Sequence, residues 1–216
     1  MNRTQMQKGF TLVEIAIVLV IIGLLLGGIL KGQEMITQAK IKNTIADFSG
    51  VSAAYFGYQD RYRATPGDDK DVDTRWPGAT KGSGDRVLTG PYFGGAATDE
   101  SQLWWNHLRR AGFITGAPTD SSNPPNSFGG ILGVQGGDGA GGAVFGDMRQ
   151  ILMCSTRLPD KVAISVDVQM DDGKPDTGFV RALANITGGE PPVTGAAATP
   201  NYVENGTNLY LLCRQF

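Results

Sequence analysis

The chain is 216 residues long, which is room for one globular domain and one long helix and little more. Its 19 Lys+Arg against 21 Asp+Glu give a formal charge of −2, excluding the basic footprint of a nucleic-acid binder. Glycine, at 31 residues, is about twice its usual share and falls mostly beyond residue 66, so that part predicts a loop-rich head.

Residues 8–31 read KGFTLVEIAIVLVIIGLLLGGILK. From Phe10 to Leu30 the text is almost unbroken aliphatic, and at about 1.5 Å per residue one helix of it crosses roughly 30 Å of hydrocarbon. Thr11 and Glu14 alone interrupt it. A carboxylate so placed costs about 2.5–3.5 kcal/mol on insertion scales, so Glu14 needs a partner. The basic residues Arg3 and Lys8 precede the run, with no apolar core of their own. A secretory signal peptide has the opposite order, its apolar region before a cut at small residues. Helical period continues after Lys31: Ile41, Ile45, Phe48, Ser52 and Tyr55 recur at steps of three and four, with Lys40, Lys42, Asn43 and Asp47 on other faces. One helix is predicted over about residues 10–62, its second half carrying an apolar stripe for the head. Gly23, Gly27, Gly28 and Gly32 lie inside it, each costing about 1 kcal/mol relative to Ala. Close helix–helix packing, a weak point for unwinding, and inconsequential lipid-facing glycines are the competing explanations.

The run Gly9-Phe10-Thr11-Leu12-Val13-Glu14, set between a basic leader and an apolar span, resembles the processing and assembly signature of type IV pilins and type II secretion pseudopilins. The resemblance implies that residues 1–9 are a leader, removed between Gly9 and Phe10 by a prepilin peptidase that then N-methylates Phe10. The mature chain would carry 17 Lys+Arg against 21 Asp+Glu, a charge of −4. The resemblance also implies that Glu14 meets the Phe10 amine of a neighbouring subunit. An ammonium and a carboxylate in low dielectric attract strongly, while each is costly alone. Related filaments melt the glycine or proline region of this helix on assembly, which places unwinding near Gly27 and Gly28. An ordinary membrane anchor with a stray Glu is the competing reading.

Further along, Pro66 breaks the helix and Pro66-Gly67 makes a turn. Tyr62, Pro66, Gly67 and Asp68 resemble the Tyr-x-x-x-Pro-Gly-Asp that follows the helix in a group of pilin-like proteins. Residues 70–98 have no period and read as an extended loop. Residues 99–112, DESQLWWNHLRRAG, predict a short amphipathic helix with Leu103, Trp104 and Leu108 inward. The single histidine, His107, has no nucleophile elbow or second metal ligand nearby in sequence, which favours a surface or core role over catalysis.

Residues 117–146 are rich in Gly, Pro, Ser and Asn. The glycines at 137–142 match a dinucleotide fingerprint, but no βαβ unit surrounds them. QILMCS at 150–155 and TNLYLLC at 207–213 read as strands able to pair. Cys154 and Cys213 lie in the part that would face an oxidising periplasm, so a disulfide is expected; two buried free thiols are the alternative. For residues 160–178 the state stays open: Val162, Ile164, Val166, Val168 and Met170 alternate as in a strand, while Pro159-Asp160 and Gly173 suit a helix start and stop. In the turn that follows, Asp171, Asp172 and Asp176 offer closely spaced oxygens suited to Ca²⁺, and related pseudopilins carry calcium; a plain solvated turn competes. The tract at 188–200 reads as a surface loop.

The expected architecture is α+β and pilin-like: leader 1–9, membrane and assembly half-helix 10–31, amphipathic half-helix 32–62, and a head at 63–216 with a small antiparallel sheet. The expected function is that of a filament subunit, pilus or secretion pseudopilus, with no enzymatic activity. Its partners would be further copies of itself, the peptidase/methyltransferase, the inner-membrane assembly machinery and, before assembly, the bacterial inner membrane with the head in the periplasm. After assembly it would sit in an extracellular or periplasmic fibre. The alternative is a monomeric, membrane-anchored periplasmic binding or adhesion module, which has no need of Glu14. Trp76, Tyr92 and Trp105 fit either surface contacts or head packing.

Overall fold

A computed structural model describes residues 11–137, 144–184 and 193–216. The leader with Gly9 and Phe10, most of the 137–142 glycine motif and the start of the 188–200 tract lie outside the described residues. Helix α1 spans Leu12–Tyr62 and is continuous through Gly27 and Gly28. The chain divides into two compact units, Met1–Ala39 and Lys40–Phe216.

In the first unit every large apolar side chain of residues 12–30 is open, from 46% exposed at Ile22 to 91% at Leu12. This part of α1 is long and apolar enough to cross a membrane. In the second unit α1 buries Ile41, Thr44, Phe48, Val51, Ala54 and Tyr58, again at steps of three and four. The predicted stripe is slightly rotated: Ile41 and Phe48 belong to the buried row, whereas Ile45, Ser52 and Tyr55 are half-buried at its edge. Thr44 qualifies because its hydroxyl donates to Lys40 O at 3.1 Å, leaving only its methyl to be packed.

After α1 come α2 (Val72–Arg75), α3 (Glu100–Arg110), β1 (Leu132–Gly136), β2 (Ile151–Pro159), α4 (Asp160–Met170), β3 (Val180–Ala184) and β4 (Leu209–Gln215). The strands form one antiparallel sheet in the order β1-β2-β4-β3. Strand alternation gives the sheet two buried faces. Val134, Met153, Ala182 and Leu212 share a core with α1, α3 and α4, while Leu152, Cys154, Leu211 and Cys213 belong to a second cluster under Tyr92, Val144 and Met148.

The expected α+β class, the long helix, α3 and the pairing of the two cysteine-bearing strands are all present. The stretch at 70–98, expected as loop throughout, contains the single turn α2. Residues 160–170 are helical, with Val162, Ala163 and Val166 buried and Val168 60% exposed. A further strand there has no place beside β2, because β1 and β4 already occupy both of its edges. Tyr92 and Trp105 are core residues, 2% and 0% exposed, and Trp76 packs partly buried against Tyr62.

Candidate functional site

Thr11 and Glu14 close a capping box on α1. Thr11 N–H and Oγ1–H donate to Glu14 Oε2 at 2.8 and 2.9 Å, and Glu14 N–H donates back to Thr11 Oγ1 at 3.3 Å. T-x-x-E ahead of an apolar run is a helix-start signature, so a local donor to this acid is written in the sequence beside the expected intermolecular one. Both bonds to the carboxylate fall on Oε2; Oε1 has no donor among the described residues. Farther along, a Cβ placed on Gly23, Gly27, Gly28 or Gly32 would meet nothing within 4 Å. Packing within the chain therefore does not require these glycines.

The head's loop after α1 is held by buried carboxylates. Asp68, 3% exposed, accepts Ser83 Oγ–H at 2.9 Å and the N–H groups of Gly84 and Arg86 at 2.6 and 2.7 Å. Glu100, at the start of α3, accepts Ser83 N–H, Thr89 N–H and the Thr89 hydroxyl at 2.8–2.9 Å. Asp69 accepts the Tyr58 hydroxyl at 2.6 Å and pairs with Arg75. Burial raises the Asp68 carboxyl above its ordinary range despite these donors, and burial with the adjoining Asp69 pushes the Tyr58 phenol far up.

His107 is 0% exposed. Gly67 N–H, which can only donate, points at its Nδ1 at 2.9 Å, so Nε2 carries the proton and donates to Thr80 O at 2.9 Å. Burial lowers its pKa, and both nitrogens are engaged in holding the loop. The Pro66-Gly67-Asp68 phrase thus has a structural role: Gly67 docks on His107, and Asp68 gathers the amides of residues 84–86.

Cys154 and Cys213 face each other in the β2–β4 register and form a disulfide, with Cα atoms 4.0 Å apart. Of the expected acidic trio, Asp171 and Asp172 come together, and the third member of the group is Asp167, not Asp176; ligand oxygens of these three lie within 4.8 Å of one another. Asp167 escaped sequence analysis because it sits inside the apolar text of α4. All three carboxylates accept donors from the chain. Asp167 takes Tyr202 O–H at 2.6 Å and Gly173 N–H at 3.3 Å, Asp171 takes Val180 N–H at 2.8 Å, and Asp172 takes Lys174 N–H at 3.0 Å. Burial lifts the Asp167 carboxyl to about 6.

Residues 4–30 match the family model of the prokaryotic N-terminal methylation motif. No curated protein and no solved structure matches the chain. With Gly9, Phe10, Thr11 and Glu14 all inside the matched residues and a long apolar helix beginning at Leu12, the chain carries the type IV pilin and pseudopilin signature.

Proposed function

We propose that the chain is a structural subunit, pilin or pseudopilin, of a type IV pilus-like or type II secretion filament, polymerising through its N-terminal hydrophobic helix. The observation that carries this reading is the methylation motif on a helix whose large apolar residues from Leu12 to Leu30 are all exposed. Such a surface needs hydrocarbon or other helices around it. The prepilin is held in the inner membrane with its head in the periplasm. The peptidase cuts between Gly9 and Phe10 and methylates the new terminus, and the assembly machinery extracts the helix into the fibre. There the Phe10 ammonium of one copy meets Glu14 of the next, at the oxygen that the capping box leaves open. The open glycines at 27 and 28 supply the weak point for unwinding. The motif supports a structural rather than catalytic protein, which agrees with a histidine whose nitrogens both serve the fold.

The test uses Glu14→Ala and Glu14→Gln in cells that make the fibre. Glutamine preserves the capping box and removes the charge. Both variants should be cleaved and remain in the membrane, with filaments lost in electron micrographs. Fibres of normal number and length that contain either variant would refute the assembly role of Glu14, and absence of the wild-type chain from purified fibres would favour a monomeric anchored module. Gly9→Val should keep the leader, read as an unprocessed mass.

A further inference from the structure

Arg63, directly after α1, has a φ of 54°, and its N–H closes the helix on Gln59 O at 2.8 Å. Glycine is the usual occupant of such a left-handed helix stop, because a Cβ there is crowded. Arg86 has a φ of 72°, held by its N–H to Asp68 Oδ2. Backbone conformation favours an arginine at neither position, yet both side chains line one open cleft of about 600 Å³ at the end of α1. Tyr55, Gln59 and residues 68–71 line it as well.

The acids that face this cleft are all compensated. Asp68 is satisfied by backbone amides and Ser83, Asp69 pairs with Arg75 and accepts Tyr58 O–H, and Asp71 pairs with Lys70 at 2.9 Å. The two arginines are not. Arg63 has only a 3.6 Å contact with Asp60, both side chains more than 80% exposed, which is a weak pair. The Arg86 guanidinium has no hydrogen bond or ion pair among the described residues. Two planar forks with unspent donors suit bidentate binding of an oxyanion. The lining tyrosines already have ring or cation neighbours, Tyr55 stacking on Trp104 and Phe216 and Tyr62 meeting Arg61 and Arg75, so the unspent binding groups of the cleft are its arginines.

We propose that this cleft binds a phosphate-class dianion, free or esterified, between Arg63 and Arg86. A dianion matches the two guanidinium charges, while Asp68, Asp69 and Asp71 are each held by donors of their own. The test is isothermal titration of the full chain in neutral detergent with inorganic phosphate, at an ionic strength fixed with chloride. One saturable site per chain is expected. Arg63→Gly and Arg86→Gly should each weaken binding by about tenfold or more, the scale of a charged hydrogen-bonded contact. Their phosphate-free melting temperatures should hold or rise, since glycine suits both backbones. Lys42→Gln, an exposed lysine outside the cleft, should bind as wild type. Methyl phosphate separates the sources: equal affinity assigns the site to free or esterified anions alike, and a much weaker ester assigns it to the free ion. Phosphate binding no better than chloride, or unchanged affinity in the two glycine variants, would overturn the proposal.

Discussion

Gly67 and Gly78 share nearly the same left-handed backbone, φ 84° and 85°, but not the same surroundings. A Cβ on Gly78 meets nothing within 4 Å, so Gly78→Ala should cost only the left-handed conformation, about 1–2 kcal/mol. A Cβ on Gly67 would collide with the backbone oxygen of Glu100 and lie 2.9 Å from Leu88 Cδ1. The loop must then move away from α3, and Gly67 N–H leaves a buried His107 Nδ1 without its donor, a further loss of about 1–3 kcal/mol. Gly67→Ala should therefore be destabilised by about 3 kcal/mol or more, roughly double the loss at Gly78. Guanidinium unfolding of the full chain in neutral detergent reads the difference through Trp104 and Trp105, both 0% exposed. Equal losses in the two variants would show that Gly67 is held by its backbone angle alone and that the docking on His107 is not a stabilising contact.

Replacing both Cys154 and Cys213 by Ser should lower stability by about 4 kcal/mol on the chain-entropy model for a sequence separation of 59 residues. Denaturant midpoints with and without reductant check this; a wild type indifferent to reduction, with thiol labelling complete, would contradict it. The pH dependence should contain two opposed parts. Burial lowers the His107 pKa below its ordinary 6.5, so the unfolded chain takes up this proton first and stability falls as pH drops through that value. Asp167, raised by burial to about 6 from 3.8, binds its proton more tightly in the folded chain; its contribution is full below 3.8 and is lost as pH rises through about 6. Asp167→Asn should accordingly make stability climb more steeply with pH between about 4 and 6 than in wild type, as measured by unfolding midpoints across that range.

Much of the fold is legible in the sequence where the signal is local. The length and apolar period of α1, its stop ahead of Pro66, the acidic start of α3 and the strands around the two cysteines each depend on neighbours a few residues apart. What escapes is decided at long range. β1, LGVQG, is hidden by its glycines, yet those glycines mark tight packing: a Cβ on Gly133 would meet Tyr92 O at 2.5 Å, and one on Gly136 would strike Leu88 O. The loop after Pro66 has no period because its order comes from Asp68 reaching amides 16 to 18 residues away. In 160–170 a strand-like alternation loses to the helix, since the sheet positions beside β2 are filled by segments distant in sequence.

The same division between local and distant partners runs through Glu14. That an acid in an apolar run needs a partner is legible from charge alone, and T-x-x-E identifies one of them three residues back. The capping box explains why the helix begins at Leu12, but it engages a single carboxylate oxygen. A helix start alone would be served as well by glutamine, which caps without the cost of a charge in hydrocarbon. Glutamate in place of glutamine therefore points to a cationic donor for the second oxygen. In the proposed fibre that donor is the methylated amine of Phe10 of another copy, and Glu14→Gln, which keeps the capping box and removes the charge, separates that role from the helix start.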